Sequence, residues 1–253
     1  MNATARRQLC LELLAEHGEV TVAELSRAAQ VSEMTIRRDL EQLEREHLLK
    51  RVHGGAISRV SRGYEPPFAL RAGRGEEAKD RIGRLAATLV ADNETLILDV
   101  GTTTLALAQH LTGATGLTVV TPSLRAASVL SSHDALRVIV TGGIARAGEL
   151  SLIGDLAERA FGELHCDTVF LGAGGVDAQA GVTEFNLDDT RVKRAALDSA
   201  RRCVVLADAS KLGSVALASV CPLERVDVLV TDDSASPEVL APLRDSGVEV
   251  LTA

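Results

Sequence analysis

No stretch of the 253 residues approaches the roughly 20 consecutive apolar side chains that a membrane span needs, so no spanning segment is expected. The opening Met-Asn-Ala-Thr-Ala-Arg-Arg leads into an amphipathic run rather than a continuously apolar one, which argues against an export signal and for a cytoplasmic protein. Cys10, Cys166, Cys203 and Cys221 lie far apart and form no Cys-x-x-Cys pair, which argues against a disulfide framework and a zinc site. His165 stands beside Cys166, but neighbours on a strand point to opposite faces, so packing explains the pair better than metal binding. The chain also lacks the Gly-x-Gly-x-x-Gly, Gly-Lys-Ser/Thr and Gly-x-Ser-x-Gly patterns. Nicotinamide chemistry, nucleotide hydrolysis and serine-based catalysis therefore have no support, and no cofactor is expected. Internal repeats and low-complexity tracts are absent as well.

What remains has ordinary globular usage, 46% hydrophobic and 25% charged, over a length that suits two domains. The net charge of −8 is unevenly spread. Residues 1–75 hold 12 Lys+Arg against 10 Asp+Glu, whereas residues 76–253 hold 15 against 25. The acidic excess belongs to the second part, and any nucleic-acid contact in the first depends on the placement of a few cations rather than on a bulk field.

Leu9, Cys10, Leu13 and Leu14 recur at one-turn spacing and predict a first helix that stops near Gly18. Thr21 followed by Glu24 is a capping box for a second helix, with Val22, Leu25 and Ala28 as its apolar stripe. Gln30-Val31-Ser32 predicts a tight turn, and Ser32 the N-cap of a third helix reaching about Glu46. On that helix Ile36, Leu40 and Leu43 share one face, while Met34, Arg38, Gln42 and Arg45 lie opposite, flanked by Thr35 and Arg37. Leu48 to Val52, His53-Gly54-Gly55 and Ala56-Ile57 then predict a hairpin about a glycine turn. Three short helices followed by such a wing predict a winged helix-turn-helix over residues 1–57. Its third helix would enter the major groove of operator double-stranded DNA. Arg37 and Arg38 would read base edges there with Met34 beside them, Ser32, Thr35 and Gln42 would hold phosphates, and Lys50, Arg51 and His53 of the wing would touch backbone or minor groove. The competing reading is that these arginines only solvate the helix and pair with Glu33, Asp39, Glu41 or Glu44.

Residues 58–75, with Pro66-Pro67, predict a linker. From residue 76 to 253, β-rich runs alternate with helical segments, which predicts a mainly parallel α/β domain. The runs are Thr95 to Val100, Leu117 to Thr121, Arg137 to Thr141, Thr168 to Gly172, Cys203 to Ala207 and Val226 to Thr231. Asp99-Val100-Gly101-Thr102-Thr103-Thr104 ends a strand and opens a helix, where backbone amides and hydroxyls suit a phosphate and Asp99 suits sugar hydroxyls. Thr121-Pro122-Ser123, Thr141-Gly142-Gly143 and Gly172-Ala173-Gly174-Gly175 follow other strands, and parallel strands gather such ends along one edge. Lys193 and Lys211 are further candidates, each with the alternative of being a solvated surface charge.

The stretch Val-Ser-Glu-Met-Thr-Ile-Arg-Arg-Asp-Leu over residues 31–40, with His53-Gly54-Gly55-Ala56, resembles the signature of the DeoR family of bacterial regulators. The resemblance covers nearly the whole chain. It implies a repressor of genes for sugar or related metabolites, with a sensor domain resembling sugar-phosphate isomerase folds. The motifs at Asp99 to Thr104 and Ser210 to Gly213 match that family, which implies a phosphorylated sugar or related intermediate as effector. A homo-oligomer is expected because operators carry repeated half-sites. Two rivals stand beside this non-enzymatic regulator. One is a sugar-phosphate isomerase or transferase with an accessory helical domain, whose acid/base carboxylate would be Glu184 or Asp189. The other is an architectural DNA binder without ligand.

Overall fold

The computed structural model describes residues 2–17, 19–46, 48–58, 62–111 and 115–253. The chain forms two compact units, Met1–Pro66 and Pro67–Ala253.

In the first unit, helices α1 (Ala3–His17), α2 (Val22–Ala29) and α3 (Glu33–Arg45) pack with strands β1 (Glu19–Thr21), β2 (Leu49–Val52) and β3 (Gly55–Ser58). The capping box is formed: the Glu24 amide donates to the Thr21 hydroxyl at 3.2 Å and the Thr21 amide to the Glu24 carboxylate at 2.8 Å. Gln30, at φ 53°, ends α2 in the left-handed region, and Ser32 caps α3 by accepting from the Thr35 amide. Cys10, Leu14, Leu25, Ile36, Leu40, Leu43 and Leu49 form the core of this unit. Gly18, expected to stop α1, lies outside the described residues. The wing is a three-stranded antiparallel sheet in the order β1-β3-β2, one strand more than the expected hairpin. Gly55 makes room for the extra strand, since a Cβ there would stand 2.1 Å from the Val20 carbonyl oxygen.

The second unit is built on seven parallel strands: β4 (Thr95–Leu98), β5 (Thr118–Thr121), β6 (Arg137–Val140), β9 (Cys166–Gly172), β12 (Ala200–Leu206), β14 (Val228–Thr231) and β15 (Glu249–Thr252). Their order is β15-β14-β12-β9-β4-β5-β6. Alternation along β4 sends Ile97 into one apolar cluster, with Phe161, Leu171, Val192 and Leu229, and its neighbours Leu96 and Leu98 into another, with Ile82, Leu107, Phe170 and Val230. Both faces of the sheet are thus covered, and the apolar strands follow from that. The covering helices are α5 (Glu76–Ala87), α6 (Thr102–His110), α7 (Leu124–Leu130), α8 (Asp155–Gly162), α9 (Leu187–Asp198) and α10 (Pro237–Asp245). A hairpin of β7 (Ile144–Ala145) and β8 (Leu152–Ile153) and a small antiparallel sheet of β10 (Gly175–Asp177), β11 (Gly181–Glu184) and β13 (Ala218–Cys221) complete the unit.

The expected linker over 58–75 needs correction. Phe68–Gly73 forms helix α4 of the second unit, anchored by the buried Phe68 ring with the Arg125 guanidinium 4.0 Å from its centroid. No described helix is long and apolar enough to cross a membrane.

The chain runs from β4 outward through β5 to β6, then returns to lay β9 on the other side of β4 and continues the opposite way. That reversal falls at the carboxyl ends of β4 and β9, the position at which open α/β sheets bind ligands.

Candidate functional site

The α3 helix separates its faces as the 3.6-residue period dictates. Ile36, Leu40 and Leu43 are buried, while Met34, Arg37, Arg38 and Arg45 are exposed. Arg37 pairs with Glu33 at 3.1 Å, an exposed contact of the kind that contributes little. Arg38, Lys50 and His53 have no polar partner among the described residues. At the helix start the Ser32 and Thr35 hydroxyl oxygens lie 2.9 Å apart. Gln42 donates to Glu46 at 2.5 Å and is half-buried, less available to a phosphate than its sequence position implies.

Two contacts that the sequence did not reveal hold α3 in place. Asp39 points inward and takes the Arg6 guanidinium of α1 through two hydrogen bonds, 2.5 and 3.2 Å. On the other flank, Arg51 of the wing pairs with Glu41 at 3.1 Å and donates its backbone amide to Glu44 at 2.9 Å. Arg51, expected on DNA, thus ties the wing to α3.

At the carboxyl end of β4, Gly101 opens α6 at φ 137°, a conformation that side chains rarely adopt, and no side chain caps the helix. The first-turn amides of α6 therefore have no side-chain acceptor capping them. Thr102 is half-buried and Thr103 buried, but Thr104 turns inward and donates to the Gly101 carbonyl at 3.1 Å. The hydroxyl expected to face a ligand thus donates to the protein's own backbone. Thr121 and Ser123 are likewise spent on structure. Thr121 donates to the Leu98 carbonyl at 2.6 Å and accepts from the Ser123 amide, and Ser123 caps α7 through the Ala126 amide. Gly142 and Gly143 lead from β6 into β7, and Gly174 and Gly175 from β9 into β10, where the Gly174 amide donates to the Thr183 carbonyl.

Lys193 is not a surface charge. With 1% exposure it lies between Asp99 and Glu184, pairing with the first, standing 3.3 Å from the second and donating to the Gly172 carbonyl at 3.0 Å. Asp99 also accepts from the Gly172 amide at 2.9 Å, so it is occupied by the protein itself rather than open to a sugar. Burial alone would lower the Lys193 ammonium, but Asp99, Glu184 and Asp189 hold it above its ordinary range, and it stays protonated. Asp189 is pushed up by burial, against the pull of Arg146 at 3.2 Å. Arg146 and Arg71 both pair with Glu149, which extends the network to α4.

Lys211, in the short turn after β12, is half-buried with its ammonium 5.2 Å from the Phe185 ring centroid. Burial lowers it, Asp208 opposes this, and Arg71 and Arg74 lower it further. Arg71 and Arg74 fall in the stretch read as linker, so no motif or period signals this cationic group. The buried Lys79 closes the α4 end by donating to their carbonyls. The four cysteines are free and buried.

Known proteins resemble this chain in sequence. Residues 6–62 match the family model for a DeoR-like helix-turn-helix domain and residues 74–233 that for the DeoR C-terminal sensor domain. The chain is 37% identical to the HTH-type transcriptional regulator GolR of Listeria innocua, over 98% of each protein. It is 32% identical to the glycerol-3-phosphate regulon repressor of Escherichia coli, over 99% of each. With the HTH-type transcriptional repressor GlcR of Bacillus subtilis it shares 34% identity, over 95% of this chain and 93% of that one. Ribose 5-phosphate isomerase A of Methanocaldococcus jannaschii is a distant structural neighbour, 18% identical with a TM-score of 0.40 over 54% of each chain. With both family domains present in order and relatives matched from end to end, this chain belongs to the DeoR family of DNA-binding transcriptional regulators.

Proposed function

We infer that the protein is a cytoplasmic, non-enzymatic repressor of genes for sugar or related metabolite use. In this reading α3 reads operator DNA, and a phosphorylated sugar or related intermediate in the crevice beyond β4 and β9 switches it. The observation that carries the reading is the outward face of α3, with Arg38 lacking a polar partner among the described residues on a helix whose opposite side is locked into the core. An arginine so placed can take guanine O6 and N7 together. Arg37 supports it, Ser32 and Thr35 approach phosphates, and Lys50 and His53 extend the contact from the wing.

For the effector, the uncapped start of α6 at Gly101, Thr102 and Thr103 offers amides to phosphate, and Lys211 with Arg71 and Arg74 offers countercharge. Gly142, Gly143, Gly174 and Gly175 shape the walls. Asp99 and Lys193 act from beneath, as a buried pair that fixes the two strand ends. Release of DNA requires that the effector favour one arrangement of the protein over the other, since equal affinity shifts no population. A homo-oligomer suits paired half-sites. The isomerase alternative is weakened because Glu184 and Asp189, the carboxylates it needs, are each held in an ion pair.

Two measurements test the reading. Anisotropy titration of a labelled fragment from the protein's own promoter should show Arg38→Ala binding about 5- to 150-fold more weakly than wild type, the range of one bidentate base contact. Thermal shift against a panel of phosphorylated sugars should find at least one ligand that raises Tm and lowers DNA affinity. Undiminished DNA binding by an Arg37→Ala/Arg38→Ala variant removes α3 as the reading element. A panel with no stabilising member removes the effector assignment.

A further inference from the structure

The outward face of α3 carries one side chain that does not fit a merely solvated surface. Met34 is 60% exposed, while the exposed residues nearest it on that face, Arg37, Arg38, Glu41 and Arg45, are all charged. At 100° per residue it lies within about 40° of Arg38 and about 20° of Glu41 and Arg45, in the middle of the face. It is also the second residue of the helix, and the N-terminal residues of a recognition helix are the ones that reach base edges.

In the major groove the base edges offer donors and acceptors almost everywhere. The exception is the 5-methyl group of thymine, which an apolar side chain can cover. Methionine, unbranched and polarizable, adapts its shape to such a contact. Four residues along a helix advance about 6 Å, against about 3.4 Å for one base pair, so Met34 and Arg38 span no more than about two base pairs. We propose that Met34 is a specificity-determining residue that packs on the methyl group of a thymine lying within about two base pairs of the guanine taken by Arg38. This rests on the assignment of α3 as the groove helix.

The test uses the full-length protein and a duplex that it recovers from a random double-stranded pool. Each thymine of the recovered site is replaced in turn by deoxyuridine, which pairs in the same way and lacks only the methyl. Wild-type affinity should fall about fourfold at one position, the equilibrium equivalent of one buried methyl group. Met34→Ala should bind the thymine and deoxyuridine duplexes equally at that position, and Met34→Leu, still apolar, should retain a difference. An unchanged Tm for both variants separates the effect from any loss of fold. Wild-type binding that is indifferent to every thymine methyl overturns the proposal, and so does a Met34→Ala protein that keeps the fourfold difference. Full affinity in Arg37→Ala/Arg38→Ala overturns the assignment of α3 and this proposal with it. Weakened binding by that variant, beside unaltered methyl dependence in Met34→Ala, overturns the role of Met34 alone.

Discussion

Replacing Lys193 by methionine probes the buried network beneath the crevice most directly. The side chain is nearly isosteric, so the packing of α9 on the strand ends is preserved while the charge is lost. Asp99 and Glu184 then face each other without their cation, in a site where Lys193 has 1% exposure and Asp99 is equally enclosed. Removing one partner of a buried pair costs about 3–5 kcal/mol, because the remaining charge has neither water nor counterion. The second unit spans residues 67–253, and at that size about 2–4 °C of Tm accompanies each kcal/mol, so the expected fall is about 6–20 °C.

The pH dependence adds a sign. In the variant the buried Asp99 carboxyl, already pushed up by burial, loses the cation that opposed this, so its folded-state pKa lies above its unfolded one and the folded protein binds more protons than the unfolded chain above the ordinary carboxylate range. Stability therefore falls as pH rises, and the deficit against wild type narrows as pH drops toward about 4. In wild type the raised Lys193 pKa acts in another window: its contribution is full below the ordinary lysine value and is lost only as pH climbs through the higher folded one. The chain has no tryptophan, so scanning calorimetry at about pH 5 and about pH 8 is the suitable assay, and it also separates the transitions of the two units. A fall of less than about 1 kcal/mol, equal at both pH values, would show that the carboxyls are not charged partners of Lys193 and would refute the reasoning.

Two further outcomes concern the first unit. Arg6→Met and Asp39→Leu should each destabilise it by about 2–4 kcal/mol, less than a fully buried pair because the Arg6 side chain keeps 13% exposure, while the double variant recovers most of the loss. Urea unfolding of the four proteins followed by circular dichroism checks this, and strictly additive losses would count against a direct pair. Gly55→Ala should detach β1 from the wing, because the added Cβ cannot coexist with the Val20 carbonyl at 2.1 Å. Faster hydrogen exchange of the Val20 amide region reports it, and unchanged protection would refute the close approach.

Features written over a few residues were the legible ones. Thr21 and Glu24 cap α2 because both halves of the box lie within one turn, and Ile36, Leu40 and Leu43 declared the buried side of α3 by spacing alone. The apolar runs of β4, β5 and β9 announced a two-sided sheet for the same reason. Partners far apart in the chain left no such trace. Asp39 reads as one more surface carboxylate until Arg6 of α1 closes on it, and Lys193 as a solvated lysine until β4 and β11 bring Asp99 and Glu184 around it. Helix α4 was hidden because six residues make under two turns, too few for a period to emerge. Strand β1 was hidden because three residues gain their identity only from pairing with β3. In the crevice the sequence located the strand ends correctly. It could not tell that Thr104, Thr121 and Ser123 point their hydroxyls at the protein's own backbone.

Those inward hydroxyls have a role in folding. A strand that is greasy on both sides, as β4 is, can slide by one residue against its neighbours with little penalty in polarity, so alternation alone does not fix its alignment. Thr121 clasping the Leu98 carbonyl and Asp99 clasping the Gly172 amide act as index marks that lock β5, β4 and β9 into a single alignment. The floor of the crevice and the registration of the sheet are thus one set of bonds, and a mutation that retunes the first will be felt by the second.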